Sequence, residues 1–178
     1  MTETVVTRRP WDLRRRRPGP GATGARRGWR RRPGPGAAEA QRIWDGWLAL
    51  WSGNTALGAE LLAERVTVHS PKLSEQLDPS TLVDREKALA MIGAIHAMTG
   101  LEYTSQAGPV AQGDLIAGAW TYTGTYRGGL PGATAAPGTP VTNEGVYLLR
   151  HTDGRVHEWW SAADNMGLLL TLGLLRRG

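Results

Sequence analysis

An α+β fold, with helices packed on one face of a curved, mostly antiparallel sheet, is predicted by three features of this 178-residue sequence. Indoles recur at helical spacing early on, at Trp44, Trp47 and Trp51 with Leu48 between them. Four stretches rich in β-branched and aromatic residues then follow one another between residues 101 and 161. Gln112-Gly113-Asp114 and Thr152-Asp153-Gly154 separate the first pair and the last pair, each short enough for a hairpin turn. Helices that precede an antiparallel meander gather on one of its faces, because each element must bury its apolar side against another.

Taken in order, residues 1 to 36 carry eleven Arg against Glu3 and Asp12, so the remainder of the chain is acidic although the whole is +5. Arg14-Arg15-Arg16-Arg17-Pro18-Gly19-Pro20-Gly21 and Trp29-Arg30-Arg31-Arg32-Pro33-Gly34-Pro35-Gly36 form a near-repeat. High charge and Pro-Gly steps predict a disordered arm over 1–36 and one folded domain over 37–178. The arm is read as a solvated tail or as a start assigned too early, and charge attraction through it is the one expected route to nucleic acid. The first helix ends near Ser52-Gly53, and a second spans roughly Thr55 to Glu64. A brief strand at Val66 to His69 stops at Ser70-Pro71. Asp84 is a plausible cap for a third helix that runs to Thr99 and stops at Gly100, with Ala88, Met91, Ile92 and Ile95 as its apolar line. Strands at Leu101 to Ala111, Leu115 to Arg127, Val141 to Arg150 and Arg155 to Ser161 come next. The Gly/Pro-rich run Gly128 to Pro140 is expected to be a mobile flap. A Leu-rich helical tail, Met166 to Leu175, is too short to span a membrane, and a cytoplasmic location is the default expectation.

The chemistry concentrates near the C-terminus. Alternation puts Val156, Glu158 and Trp160 on one strand face, and Asp164 joins them if the extended geometry persists. Unpaired buried carboxylates are costly, so two on one face imply that something there needs polarity. His157 and Trp159 then project from the opposite face. The sequence holds no cysteine, which excludes disulfides, thiolate metal sites and a Cys nucleophile. Four scattered histidines lack ligand spacing, so no metal is expected, and no glycine-rich loop opens a helix to hold a phosphate or dinucleotide.

The element order, together with Trp51-Ser52-Gly53-Asn54, Val66-Thr67-Val68-His69-Ser70-Pro71, Gly124-Thr125-Tyr126-Arg127-Gly128, Gly154-Arg155-Val156-His157-Glu158-Trp159-Trp160 and Asp164-Asn165-Met166-Gly167-Leu168-Leu169, resembles the SnoaL-like polyketide cyclase and ester cyclase family. That family belongs to the nuclear transport factor two-like superfamily, so the resemblance implies a cone-shaped α+β barrel over residues 38 to 175. It implies a cofactor-independent cyclase or isomerase that acts on a hydrophobic, carbonyl-bearing molecule, working as a homodimer. It also carries onto Asp164 the role of general acid and base in ring closure. A carboxylate that takes a proton from carbon needs apolar surroundings, which Trp160 and the helix indoles Trp44, Trp47 and Trp51 could supply. The enolate oxygen needs a hydrogen-bond donor, for which His69, Tyr122 and Tyr126 are the candidates.

Each of these residues also has a structural reading. Asp164 could simply cap the Leu-rich helix. Glu158 could pair with Arg155 or Arg150, His69 could be a satisfied strand-end histidine, and the indole stripe could be core. A noncatalytic ligand-binding or assembly module on the same fold is the competing function.

Overall fold

The computed structural model describes residues 36–71 and 84–175, so the expectation for the arm lies outside the described residues except at Gly36. Helix α1 (Ala37–Trp51) buries Ala40, Ile43, Trp44, Trp47, Leu48, Leu50 and Trp51, the repeat of three and four that makes one side of a helix apolar. A 3-10 turn, Thr55–Leu57, leads into the single helical turn α2 (Gly58–Leu61). Strand β1 then begins at Leu62 and ends at His69. The predicted helix over Thr55 to Glu64 is therefore too long. Leu61 and Leu62 are both buried, and the chain turns extended at Leu62 to pair it with Val156 instead of continuing the helix.

Helix α3 (Arg85–Thr99) keeps its predicted ends. The Lys87 backbone N–H donates to Asp84 Oδ1 at 2.8 Å, and Gly100 closes the helix with a left-handed φ of 54°. Ala88 and Ile92 of its apolar line are fully buried, whereas Met91 and Ile95 are only partly so. Strands β2 (Glu102–Gln112), β3 (Leu115–Thr125), β4 (Pro140–Thr152) and β5 (Arg155–Ala163) follow, and helix α4 (Asn165–Thr171) is the last element of the described residues.

The five strands form one sheet in the order β1-β5-β4-β3-β2. Only β1 and β5 run parallel. Helix α1 lies against the concave face, where Trp44 packs so close to β3 that a Cβ on Gly118 would sit 2.6 Å from its ring. Glycine is required there by the approach of the indole.

One irregularity changes the predicted faces. Arg150 pairs with Glu158 but His151 pairs with Val156, so His157 is an extra residue in β5, a β-bulge. Beyond it the alternation inverts. Val156 and Trp159 both point inward and are buried, while Glu158 and Trp160 share the outer, convex face with Ala162. The expected common face of Val156, Glu158 and Trp160 is corrected accordingly, as is the outward Trp159. Its ring packs edge-on against Trp47 with centroids 5.1 Å apart.

Candidate functional site: an aromatic cavity between helices and sheet

Between α3, α4 and the concave sheet face lies a cavity of about 180 Å³. Trp51, Trp120, Trp159, Tyr103, Tyr122 and Tyr147 form its aromatic wall, with Met91, Ile95, Met98, Leu130, Leu168 and Leu172 as aliphatic cover. The partial exposure of Met91 and Ile95 follows from that position. Strand register builds the wall: Tyr103 lies opposite Tyr122, Trp120 opposite Gly145 and Tyr122 opposite Asn143. Gly145 has no substitute, since a Cβ there would sit 2.6 Å from the Trp120 ring. Trp120 stacks on Tyr122 at 5.6 Å and 8° and on Tyr147 at 5.2 Å and 29°. Such rings present large apolar faces while each hydroxyl keeps a polar handle.

The polar side chains on this wall are the hydroxyls and amides of Tyr103, Tyr122, Tyr147, Asn143, Thr99, Ser70, Ser161 and Asn165, beside the indole N–H groups of Trp51 and Trp120, which are buried without a hydrogen-bond partner. Burial pushes the phenols of Tyr103, Tyr122 and Tyr147 above the usual tyrosine range, so each stays protonated at neutral pH and acts as a hydrogen-bond donor. Among the described residues that line the cavity there is no carboxylate and no histidine.

The sequence-based candidates are divided by this geometry. Trp51 and Tyr122 line the cavity. Trp44 and Trp47 are fully buried behind it, Trp44 with its Nε1 donating to Ser105 Oγ at 3.0 Å. Tyr126 stands beside the wall with a different task, since its hydroxyl accepts a hydrogen bond from the Leu130 backbone N–H at 3.1 Å. His69, Glu158 and Trp160 gather on the outer face: His69 Nε2 lies 2.8 Å from Glu158 Oε1, and the His69 ring stacks on Trp160 at 4.6 Å. Glu158 also holds Arg150, whose guanidinium lies 5.3 Å from the Trp160 ring centre. Desolvation raises the Glu158 pKa, but hydrogen bonding from His69 and the charge of Arg150 outweigh it and leave a net depression.

Asp164 is exposed, and its Oδ1 accepts the Gly167 backbone N–H at 3.1 Å as the N-cap of α4. Its chain neighbours Ala163 and Asn165 line the cavity, so Asp164 stands at the lip with its carboxylate on the outer side, above a shallow trough floored by Ala119, Gly145 and Ala162. The bulge at His157 is why Asp164, like Glu158 and Trp160, lies on the outer side instead of the cavity face. Tyr103, Tyr147, Trp120 and Asn143 were missed in the sequence. Alternation from Tyr122 to Trp120, and from Asn143 to Tyr147, was the available signal.

A curved sheet wrapped around an aromatic pocket that is capped by helices defines the class: small α+β proteins whose core wall also lines a cavity. The family model described as SnoaL-like polyketide cyclase matches residues 41–172, and the chain belongs to that family. IdmH, a candidate polyketide cyclase from Streptomyces antibioticus, is 29% identical with a TM-score of 0.63, over 75% of this chain and 98% of that one. A candidate polyketide cyclase from Acidithiobacillus ferrooxidans shares the fold at 20% identity and a TM-score of 0.66, over 78% of this chain and 96% of that one. A Catenulispora acidiphila protein with a ketosteroid isomerase-like fold, solved with trimethylamine, is 22% identical at a TM-score of 0.56, over 74% and 92%. No curated protein matches the chain.

Proposed function

We propose that this chain is a cofactor-independent cyclase or isomerase of the polyketide and ester cyclase type, which holds a hydrophobic, carbonyl-bearing molecule in the aromatic cavity. The observation that carries this reading is the pairing of an apolar wall with buried, protonated tyrosine hydroxyls. Such a wall excludes water from an apolar substrate, and neutral donors stabilise the negative oxygen that develops when a carbonyl becomes an enolate. Asp164 at the lip is assigned the acid and base role. To reach a substrate carbon its carboxylate turns inward and gives up the Gly167 cap, at a cost of about 1 kcal/mol.

The test is exchange of the acidic α-hydrogen of an aryl β-keto ester for deuterium, followed by NMR with the full chain. Asp164→Asn keeps shape and capping capacity, so folding should survive while exchange falls by roughly two to four orders of magnitude. The second reading, a binding module without turnover, is favoured by the lack of any carboxylate or histidine among the described lining residues. A wild-type chain that binds the ester yet leaves its exchange rate at the buffer level would establish that reading instead.

A further inference from the structure

We infer that the part of the substrate enclosed by this cavity is an aromatic system of one or two fused rings, and that Met98 and Leu168 are the specificity-determining side chains that exclude a third. The inference rests on the hydrophobic substrate proposed above and adds its size.

Volume sets the limit. At the packing density of protein interiors, a cavity of about 180 Å³ takes a ligand part of roughly 130 Å³ van der Waals volume, the size of two fused six-membered aromatic rings. A third ring enters only if the wall or the cover gives way.

The wall is braced. Trp159, Trp120 and Tyr147 are each no more than 3% exposed. Trp159 packs edge-on against Trp47, Tyr147 stacks on Trp51 at 6.0 Å and on Trp120 at 5.2 Å, and Trp120 stacks in turn on Tyr122. Moving one ring displaces the next, which a close-packed interior resists.

The cover is built differently. Among the described residues, Met91 and Ile95 of α3 pack against the buried core, whereas Met98, at the end of the same helix, lines the cavity without doing so. Across from it stands Gly129, where even an added Cβ would stay 3.8 Å from Met98 Cγ and 4.0 Å from its Sδ, so no side chain at that position clamps the thioether. Leu168 is half-buried like Met98 and lies one helical turn from Asp164, its backbone N–H donating to the Asp164 carbonyl at 3.3 Å. It covers the cavity beside the lip. Each of the two side chains can shift to fit one ring or two, but its own volume stays within the cover. Shortening either one adds space and leaves every ring of the wall braced as before.

The test follows quenching of tryptophan fluorescence in the full chain by nitrobenzene, 2-nitronaphthalene and 2-nitroanthracene, which differ only in ring number. In the wild type 2-nitronaphthalene should bind about tenfold tighter than nitrobenzene, as its added apolar surface predicts, and 2-nitroanthracene about tenfold weaker than 2-nitronaphthalene. Met98→Ala and Leu168→Ala should each tighten 2-nitroanthracene about tenfold and leave nitrobenzene within about threefold of the wild type. Met166 is 67% exposed and does not line the cavity, so Met166→Ala should change none of the three affinities. Two cover variants on different helices guard against one that misfolds. Affinity that climbs from two rings to three in the wild type would overturn the inference. So would folded Met98→Ala and Leu168→Ala chains that leave 2-nitroanthracene as weak as before. If no probe binds the wild type, this inference and the substrate cavity of the proposed function fall together. The expected ranking without any deuterium exchange of the keto ester would support the inference and defeat the proposed turnover alone.

Discussion

His151 is buried with neither ring nitrogen hydrogen-bonded, although Glu39 and Arg42 of α1, Asp114 at the β2–β3 turn and His157 of β5 surround it. Burial lowers its pKa and outweighs the opposing pull of Glu39 and Asp114. The folded chain therefore binds fewer protons at this site than the unfolded chain in the window below the ordinary histidine pKa of about 6.5. Stability contributed by the neutral ring is complete above that pH and is lost as pH falls toward the depressed folded value. Urea midpoints of wild type and His151→Leu should differ by a constant amount above pH 7, and the wild type should lose more between pH 7 and pH 5. Parallel curves would show that the ring is already solvated. At this same scale the sequence was legible for packing and poorly legible for chemistry. The Trp44, Trp47 and Trp51 stripe announced a helix side by spacing alone, because helical neighbours are local. His69 and Glu158 instead lie 89 residues apart and meet only in the fold, and the choice of Arg150 over Arg155 as the partner of Glu158 is made by the register of β4 on β5.

For the elements, the helix ends set by Asp84 and Gly100 were readable because a cap and a left-handed stop are single-residue chemistry. The strand faces were not. Alternation counted through His157 misplaces every later side chain, and a bulge leaves no mark in composition. Deleting His157 removes the extra residue and leaves Val156 and Trp159 inward with Glu158 and Trp160 outward, so a native-like melt is expected by circular dichroism. An unfolded or aggregated product would mean that the bulge itself is needed for the strand to bend. The segment between β3 and β4 gives a second lesson, since the expected mobile flap is pinned. Gly138 N–H donates to the Tyr126 carbonyl at 2.7 Å, and the N–H groups of Thr134 and Ala135 donate to the Leu172 carbonyl at 3.0 and 3.2 Å. Glycine and proline marked this stretch as irregular, yet its order comes from Tyr126 and from α4, elements it meets only in the fold. Tyr126→Phe strands the Leu130 N–H and should cost about 1 kcal/mol, with faster amide exchange at Leu130 as the local reading. Unchanged exchange there would show that the hydroxyl bond does not hold the loop.

Across the whole molecule, the sheet has one face filled and one left open. Helices and aromatic rings cover the concave side, while the convex side carries an apolar band made by Ala117 and Ala119 of β3, Leu148 and Val146 of β4, and Trp160 and Ala162 of β5. Val146 is 51% exposed, an unusual state for a β-branched residue in the middle of a sheet. The ion pairs of Glu158 with His69 and Arg150 border this band. A contiguous apolar patch with a charged rim is the anatomy of an interface between subunits, and two such faces laid together could bury the roughly 1,200 to 2,000 Å² that a stable dimer needs. The family resemblance led to the expectation of a homodimer, and strand alternation put Trp159 on the outward face that would carry it. With Trp159 committed to the core, the aromatic residue available to a second copy is Trp160, one position along and on the opposite face of the sheet. Val146→Glu puts a carboxylate in the centre of the band, far from the cavity wall. Light scattering at micromolar concentration should report a dimer for the wild type and a monomer for Val146→Glu, and both chains should bind nitrobenzene alike because the cavity lies on the opposite face. A wild-type monomer would leave the convex band without a partner of its own kind, and a Val146→Glu dimer would place the contact on another surface.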